Sequence, residues 1–217
     1  MAEPDGRLSR RELLKRAGIA GAAAVVAPAV FDAAPQTPPA APIVREPLEA
    51  LTIVEADILE AVCARLIPTD GNGPGAKEAR AAHYIDRALA GFLAPSRAAY
   101  ATGLAAIDLA AKNAHGQPFA SLSNANQDEI LKSLEATAFF ALVRAHTIQG
   151  MFCDPFYGGN ANFVGWDLIG YPGVRTIVTA NEQRMGIPLT PNHKSAYDYA
   201  MFTKANARHG GHNGNET

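Results

Sequence analysis

Apolar residues recur along most of the chain at the three- and four-residue spacing of an amphipathic helix. The first clear stripe lies between Val54 and Leu66, and Thr52 stands where a helix N-cap is expected. Pro68 ends this helix, and a loop rich in Gly, Pro, Asn and Asp follows it. The next apolar stripe predicts a second helix that begins near Ala76, with these residues inward: Ala82, Ile85, Leu89 and Phe92.

A third stripe predicts a helix that begins at Pro95 and Ser96. This helix is expected to end at His115, where Gly116 is suited to a left-handed C-terminal cap. The residues expected to face the core are Tyr100, Leu104, Ile107 and Ala111.

Two more helices are predicted before Cys153. Asn124 and Gln127 have the spacing of a capping box, which predicts a fourth helix with Ile130, Leu131 and Leu134 inward. The stretch from about Thr137 to Phe152 is the most apolar one outside the N-terminal region. Its composition predicts a central, mostly buried fifth helix.

The pattern changes after Cys153. Residues 154–174, the Gly/aromatic loop, fit neither the helical nor the strand period, and a structured loop of this length is typically functional. A last helix is expected from about Ser195 to Asn206, and Thr176 to Val178 is a weak strand candidate. The chain is therefore predicted to be mostly α, a small irregular helical bundle with a long Gly/aromatic loop near its C-terminal third.

The N-terminal region has the pattern of an export signal. Arg10 and Arg11 precede a weakly apolar Ala/Gly/Val run, and this order resembles a twin-arginine signal peptide. We assign residues 1–34 to the signal and residues 35–47, which are rich in Pro and Ala, to an extended linker. The helical domain is expected over 48–207, followed by a flexible tail over 208–217.

Composition excludes several functions. The 217 residues include 19 Lys and Arg against 21 Asp and Glu, so the formal charge of −2 supplies no basic field for nucleic acid. The two cysteines, Cys63 and Cys153, are too far apart for a haem-attachment motif, and no dinucleotide-binding fingerprint is present. We therefore expect no cofactor, metal or catalytic site in this chain.

Two stretches resemble the gluconate 2-dehydrogenase subunit 3 family. One is Phe-Tyr-Gly-Gly-Asn at 156–160 followed by Gly-Trp-Asp-Leu-Ile-Gly-Tyr-Pro-Gly at 165–173. The other is Ala-Arg-Leu-Ile-Pro-Thr-Asp at 64–70, followed by Gly-Ala at 75–76 and Tyr-Ile-Asp at 84–86. The resemblance extends over residues 48–199.

This resemblance implies a non-catalytic small subunit of a periplasmic complex that is peripheral to the inner membrane. In such complexes a glucose-methanol-choline-type flavoprotein large subunit holds FAD and oxidises a sugar or polyol. A multihaem cytochrome c subunit carries haem c and passes electrons to the membrane quinones. The small subunit is expected to escort the flavoprotein through the twin-arginine pathway and to stabilise it.

The partner interface is predicted to lie on the Gly/aromatic loop, because aromatic side chains are effective interface anchors. The candidate residues are Cys153, Phe156, Tyr157, Trp166 and Tyr171. For Tyr157 and Trp166 an alternative is equally open, in which they pack the loop onto its own helices.

The two cysteines have different expected roles. Cys63 lies on the apolar stripe of the first helix and is expected to be a small buried hydrophobe. Cys153 has three open states: a disulfide to a partner subunit, a disulfide to Cys63, or a free thiol.

Two other functions remain open from the sequence. One is a self-sufficient exported enzyme whose site combines His146, Asp154, Tyr157 and Trp166. The other is a free periplasmic binding or assembly protein without a permanent partner.

Overall fold

The computed structural model describes residues 46–186 and 188–203. Within these ranges the chain forms six α-helices and no β-strand, which confirms the mostly α prediction. The helices are α1 Ile53–Leu66, α2 Ala81–Ala90, α3 Arg97–His115, α4 Asn124–Ser133, α5 Ala138–Phe152 and α6 Val164–Leu168. Short 3-10 helices lie at Ala94–Ser96, Phe119–Ser121, Pro155–Tyr157, Ala161–Phe163 and Ala196–Asp198.

Several sequence predictions concern residues outside the described ranges. Arg10 and Arg11, the signal peptide assigned to residues 1–34 and the tail at 208–217 all lie there. In the part of the chain that the structure does describe, no helix has the length and apolar character needed to cross a bilayer.

Local sequence determines two helix ends as predicted. Thr52 caps α1: its Oγ1 accepts the backbone N–H of Glu55 at 3.3 Å, and the Glu55 carboxylate accepts the N–H of Thr52 at 2.8 Å. This reciprocal pair is a capping box. At the end of α3, Gly116 adopts a left-handed conformation with φ of 72° and donates its N–H to the Lys112 carbonyl.

The predicted start of the second helix is wrong. Residues 76–80 form turns, and α2 begins only at Ala81 because Arg80 is left-handed, with φ of 58°. Ala76 instead donates its N–H to the Ile67 carbonyl at 2.9 Å, which fixes the turn to the end of α1. Phe92, predicted to face inward, lies beyond the end of α2 and is 64% exposed.

The predicted cap of the fourth helix is also wrong by one residue. Ser123 is the N-cap of α4, and its hydroxyl accepts the N–H of Asn126 at 3.4 Å. Gln127, expected in the capping box, is buried and donates its side-chain N–H to the Phe119 carbonyl at 3.0 Å.

The core lies where α1 contacts all four of the other long helices, α2 to α5. The fifth helix, α5, packs most extensively on α2, and Gly150 permits this close approach. However, the prediction that this helix is mostly buried is wrong. It buries a single face, formed by Val143, His146, Thr147, Gly150 and Met151, while Ile148 is exposed.

Two parts of the C-terminal third differ from the prediction. The Gly/aromatic loop has more secondary structure than expected, and the last predicted helix has less. The Gly/aromatic loop contains two 3-10 helices and the short helix α6. The helix predicted over 195–206 is instead a 3-10 turn at Ala196–Asp198 and one helical turn over 200–203, beyond which the described residues end. Residues 176–178 do not form a strand.

Candidate functional site

The Gly/aromatic loop is fastened to the C-terminal end of α5. The last carbonyls of a helix have no partner within the helix and need donors from elsewhere. Asn160 donates its backbone N–H to the Gly150 carbonyl at 2.8 Å and its side-chain N–H to the Cys153 carbonyl at 2.9 Å. The indole N–H of Trp166 reaches the Phe152 carbonyl at 2.9 Å. The loop therefore caps the helix that precedes it.

Asn160 is the centre of this attachment, and the sequence analysis did not single it out. Its side chain is fully buried, and its Oδ1 accepts the N–H of Gly165 at 2.8 Å. Its backbone is left-handed, with φ of 45°, which Asn tolerates better than most residues. An Asn placed directly after two glycines was the available signal for such a position.

Two glycines of the loop permit close contact with α5. A Cβ on Gly159 would lie 2.2 Å from the Gly150 carbonyl oxygen, and one on Gly165 would lie 1.9 Å from that of Met151. No side chain fits at these distances. Gly-Gly-Asn at 158–160 and Gly-Trp at 165–166 in the sequence motif therefore specify how the loop packs onto the helix.

The aromatic interface candidates divide into two groups. Trp166 is only 5% exposed, which corresponds to the alternative in which it packs the loop onto its own helix. Phe156, Tyr157 and Tyr171 are 48%, 42% and 40% exposed. These three side chains keep large surfaces toward solvent, and Tyr171 packs edge-on against Trp166 with ring centroids 4.9 Å apart.

A C-terminal segment, residues 192–199, folds back on the loop, and we call it the C-terminal strap. The ring of Tyr197 stacks on Phe156 with centroids 3.8 Å apart, and its hydroxyl lies 2.8 Å from that of Tyr157. This hydrogen bond raises the pKa of Tyr157 to about 12. Tyr157 therefore remains protonated at any physiological pH.

Asp154 holds the strap in place. Its carboxylate accepts the hydroxyl of Ser195 at 2.6 Å and the backbone N–H of Ala196 at 2.8 Å. A second attachment joins His193 Nε2 to the Asp167 carboxylate at 2.7 Å. Sequence reasoning placed both aspartates in the loop but did not foresee this partner segment.

The other motif surrounds a buried carboxylate. Asp86 is 1% exposed and accepts three backbone N–H groups, from Glu49, Ala50 and Leu51, at 2.7, 3.0 and 2.8 Å. In the same motif, a Cβ on Gly75 would lie 2.4 Å from the Ile67 carbonyl oxygen. This motif thus fixes the chain entry into α1 and the turn after it.

The family model described as gluconate 2-dehydrogenase subunit 3 matches residues 54–173, more than half of the chain. The chain belongs to this family. The matched range ends within the Gly/aromatic loop, so the C-terminal strap lies beyond it. Comparisons with curated proteins and with solved structures gave no significant match.

Membership in the gluconate 2-dehydrogenase subunit 3 family identifies the kind of protein that this chain is. It is a subunit of an oxidoreductase complex and has partner subunits. The suspected family is therefore confirmed.

Both cysteines of this subunit are free thiols, so the disulfide between them is not formed. Cys63 is buried as expected, with its Sγ 3.3 Å from the Thr147 hydroxyl, and burial raises its pKa to about 12. Cys153 is half-buried with its Sγ 3.7 Å from the Gly150 carbonyl, and burial raises its pKa to about 11. Both thiols are consequently poor nucleophiles in the folded chain.

The residues of the alternative enzyme site have separate hydrogen-bond partners. His146 is buried, its Nδ1 lies 2.9 Å from the Tyr100 hydroxyl, and desolvation lowers its pKa. Asp154 and Tyr157 bond to the strap, and Trp166 bonds to α5. Among described residues no side-chain hydrogen bond joins any two of the four, and the backbone N–H of Tyr157 donates to the Asp154 carbonyl at 3.0 Å.

Within residues 46–186 and 188–203, no group of three or more His, Cys, Asp or Glu side chains is placed to hold a metal ion. Two histidines outside these ranges, His209 and His212, belong to the C-terminal tail.

Proposed function

We propose that this chain is the non-catalytic small subunit of a periplasmic FAD-dependent sugar or polyol dehydrogenase complex. In this role it escorts the flavoprotein subunit through the twin-arginine pathway and stabilises it. The observation that carries the proposal is the family match over residues 54–173, in a chain whose N-terminus also resembles a twin-arginine signal.

The roles of the motif residues support a structural subunit. Asp86, Asn160 and Trp166 use their polar atoms to fasten the chain to itself. The side chains left for a partner are the half-exposed aromatics Phe156, Tyr157 and Tyr171, with Cys153 at the edge of the loop. Such a surface suits an interface anchored by aromatic residues better than it suits a reaction site.

The partners follow from the family resemblance. We assign FAD to a glucose-methanol-choline-type flavoprotein large subunit and haem c to a multihaem cytochrome c subunit. Through these partners the small subunit would be held at the periplasmic face of the inner membrane.

Export is the property to test first. The flavoprotein should be co-expressed with this subunit or with the Arg10→Lys/Arg11→Lys variant, and periplasmic FAD-dependent dehydrogenase activity should be measured. We expect the double variant to leave the flavoprotein in the cytoplasm, because the paired arginines are the recognised element of the signal. The matched control is Arg7→Lys/Arg16→Lys, which changes two arginines outside the pair and should preserve export.

The stabilising role is tested in the same strain. Without the small subunit, the yield and periplasmic activity of the flavoprotein should both fall. Unchanged export and yield in its absence would contradict the escort role, and activity in the purified small subunit alone would contradict a non-catalytic role.

A further inference from the structure

The C-terminal strap occupies the surface that the proposed function assigns to a partner. One strap residue, Tyr197, covers a face of the Phe156 ring and also holds the Tyr157 hydroxyl. A stacked ring together with a hydroxyl hydrogen bond is a combination of contacts that is typical of aromatic anchors at interfaces. Tyr197 thus acts as an intramolecular substitute for such an anchor.

The strap is attached at the surface of the loop. Asn192 and Tyr199 bond to the Pro172 and Val174 carbonyls, and the ring of His193 stacks on Phe163. Ser195 and Ala196 bond to the Asp154 carboxylate, and His193 bonds to Asp167. Between the loop and the strap the chain has little packing, since Ile177 is 79% exposed and Met185 is fully exposed. Segments with so few buried contacts open at low free-energy cost.

The strap also lies outside the part of the chain that the family model matches. That part ends at residue 173 and contains the loop with Phe156 and Tyr157. The loop therefore lies within the matched range except for its last residue, while the segment that covers part of the loop lies beyond that range. This division is expected if the strap regulates access to a surface with its own function.

We propose that the C-terminal strap is a displaceable cover, which closes over one face of the Phe156 ring and the hydroxyl of Tyr157 in the free subunit and is released when the flavoprotein subunit binds there. This inference rests on the proposed function, because it needs a partner that uses the loop. It assigns a regulatory role to residues 192–199 and makes Tyr197 the competitor of the partner's anchor.

The consequence is a measurable gain of affinity when the strap is weakened. A cover closed in about nine of ten molecules lowers the apparent affinity about tenfold, because only the open fraction binds. Tyr197→Ala removes the stacked ring, and Ser195→Ala removes a hydrogen bond to Asp154 without changing the loop. Both variants should bind the flavoprotein more tightly than the unaltered chain, Tyr197→Ala by about tenfold.

The experiment uses the full-length chain and purified, FAD-loaded flavoprotein subunit. Dissociation constants are measured by interferometry, and backbone hydrogen exchange is followed in the peptide containing residues 195–197. The matched control is Phe202→Ala, which removes an aromatic ring that follows the strap and is 40% exposed. We expect the control to bind like the unaltered chain, and exchange at 195–197 to rise when the flavoprotein binds.

Three results would overturn the proposal. Weaker or unchanged binding by both strap variants would show that the strap belongs to the interface or is irrelevant to it. Binding with unchanged or slower exchange at 195–197 would show that the strap stays closed. Failure of every chain, including the unaltered one, to bind the flavoprotein would contradict the proposed function itself and the cover with it.

Discussion

The attachment of the Gly/aromatic loop to α5 predicts that Asn160→Ala strongly destabilises the chain. The substitution removes both side-chain hydrogen bonds of a fully buried amide. It leaves the N–H of Gly165 and the carbonyl of Cys153 without their partners. It also places Ala in a left-handed backbone conformation, with φ of 45°.

The magnitude follows from these two effects. A buried polar group that loses its partner costs about 1–3 kcal/mol, and two groups are affected. The left-handed conformation adds about 1 kcal/mol for Ala relative to Asn. We therefore expect the free energy of unfolding to fall by about 3–7 kcal/mol, a large part of the roughly 5–15 kcal/mol that is typical of a domain.

Urea unfolding followed by far-ultraviolet circular dichroism measures this loss. The chain offers a matched control in Asn162, which is also left-handed, with φ of 54°, but has an exposed side chain. Asn162→Ala should therefore show the backbone effect alone, about 1 kcal/mol. Asn160→Gly complements it, because Gly accepts the left-handed backbone and loses only the hydrogen bonds.

Equal losses for Asn160→Ala and Asn162→Ala would refute the reasoning. That outcome would mean that the buried hydrogen bonds do not stabilise the loop. A loss for Asn160→Gly as small as that for Asn162→Ala would refute it in the same way.

Further outcomes can be checked on the same purified chain. Asp86→Ala should lower the free energy of unfolding by about 3 kcal/mol, because three backbone amides lose their buried acceptor, and hydrogen exchange should show faster opening of that segment. Gly165→Ala should lower it by about 3 kcal/mol, since its Cβ meets backbone, whereas Gly71→Ala, which meets open space, should be neutral in the same urea titration. At pH 8 a disulfide reagent should react more slowly with the native chain than with the chain in urea, about a hundredfold for Cys153 and about a thousandfold for Cys63, because burial raises their pKa values to about 11 and about 12. Stability should also fall as the pH rises from 9 toward 11, because the unfolded thiols lose their protons first, and a flat urea midpoint over that window would contradict the assigned burial.

Much of the helical architecture was predictable because it depends on neighbours in the chain. The capping box of Thr52 involves a residue three positions away, and the Gly116 cap needs only a backbone that accepts positive φ. The inward face of α3 followed from its spacing, and Tyr100, Leu104, Ile107 and Ala111 are all buried. The errors arose where a distant contact altered a local preference, as when Ala76 bonded to Ile67 and delayed the start of α2.

The candidate site was predictable in position but not in internal arrangement. The motif located the Gly/aromatic loop, yet the same pattern allowed Trp166 to face either a partner or its own helix. In the structure Trp166 faces its own helix, because it is buried against α5 and donates a hydrogen bond to the Phe152 carbonyl. Asn160 was overlooked because its importance depends on carbonyl groups at the end of α5 that no sequence pattern reveals.

Interactions between residues close in sequence thus determine the helices, their caps and the location of the loop, because hydrophobic periodicity and capping act over three or four residues. Three features required the folded chain: the buried carboxylate of Asp86, the Asn160 attachment and the strap on Phe156. Each joins residues that lie well apart in sequence or depends on which side chain becomes buried. Contacts of that kind arise only when the helices pack, because packing alone removes water from these polar groups and determines which of them must bond to one another.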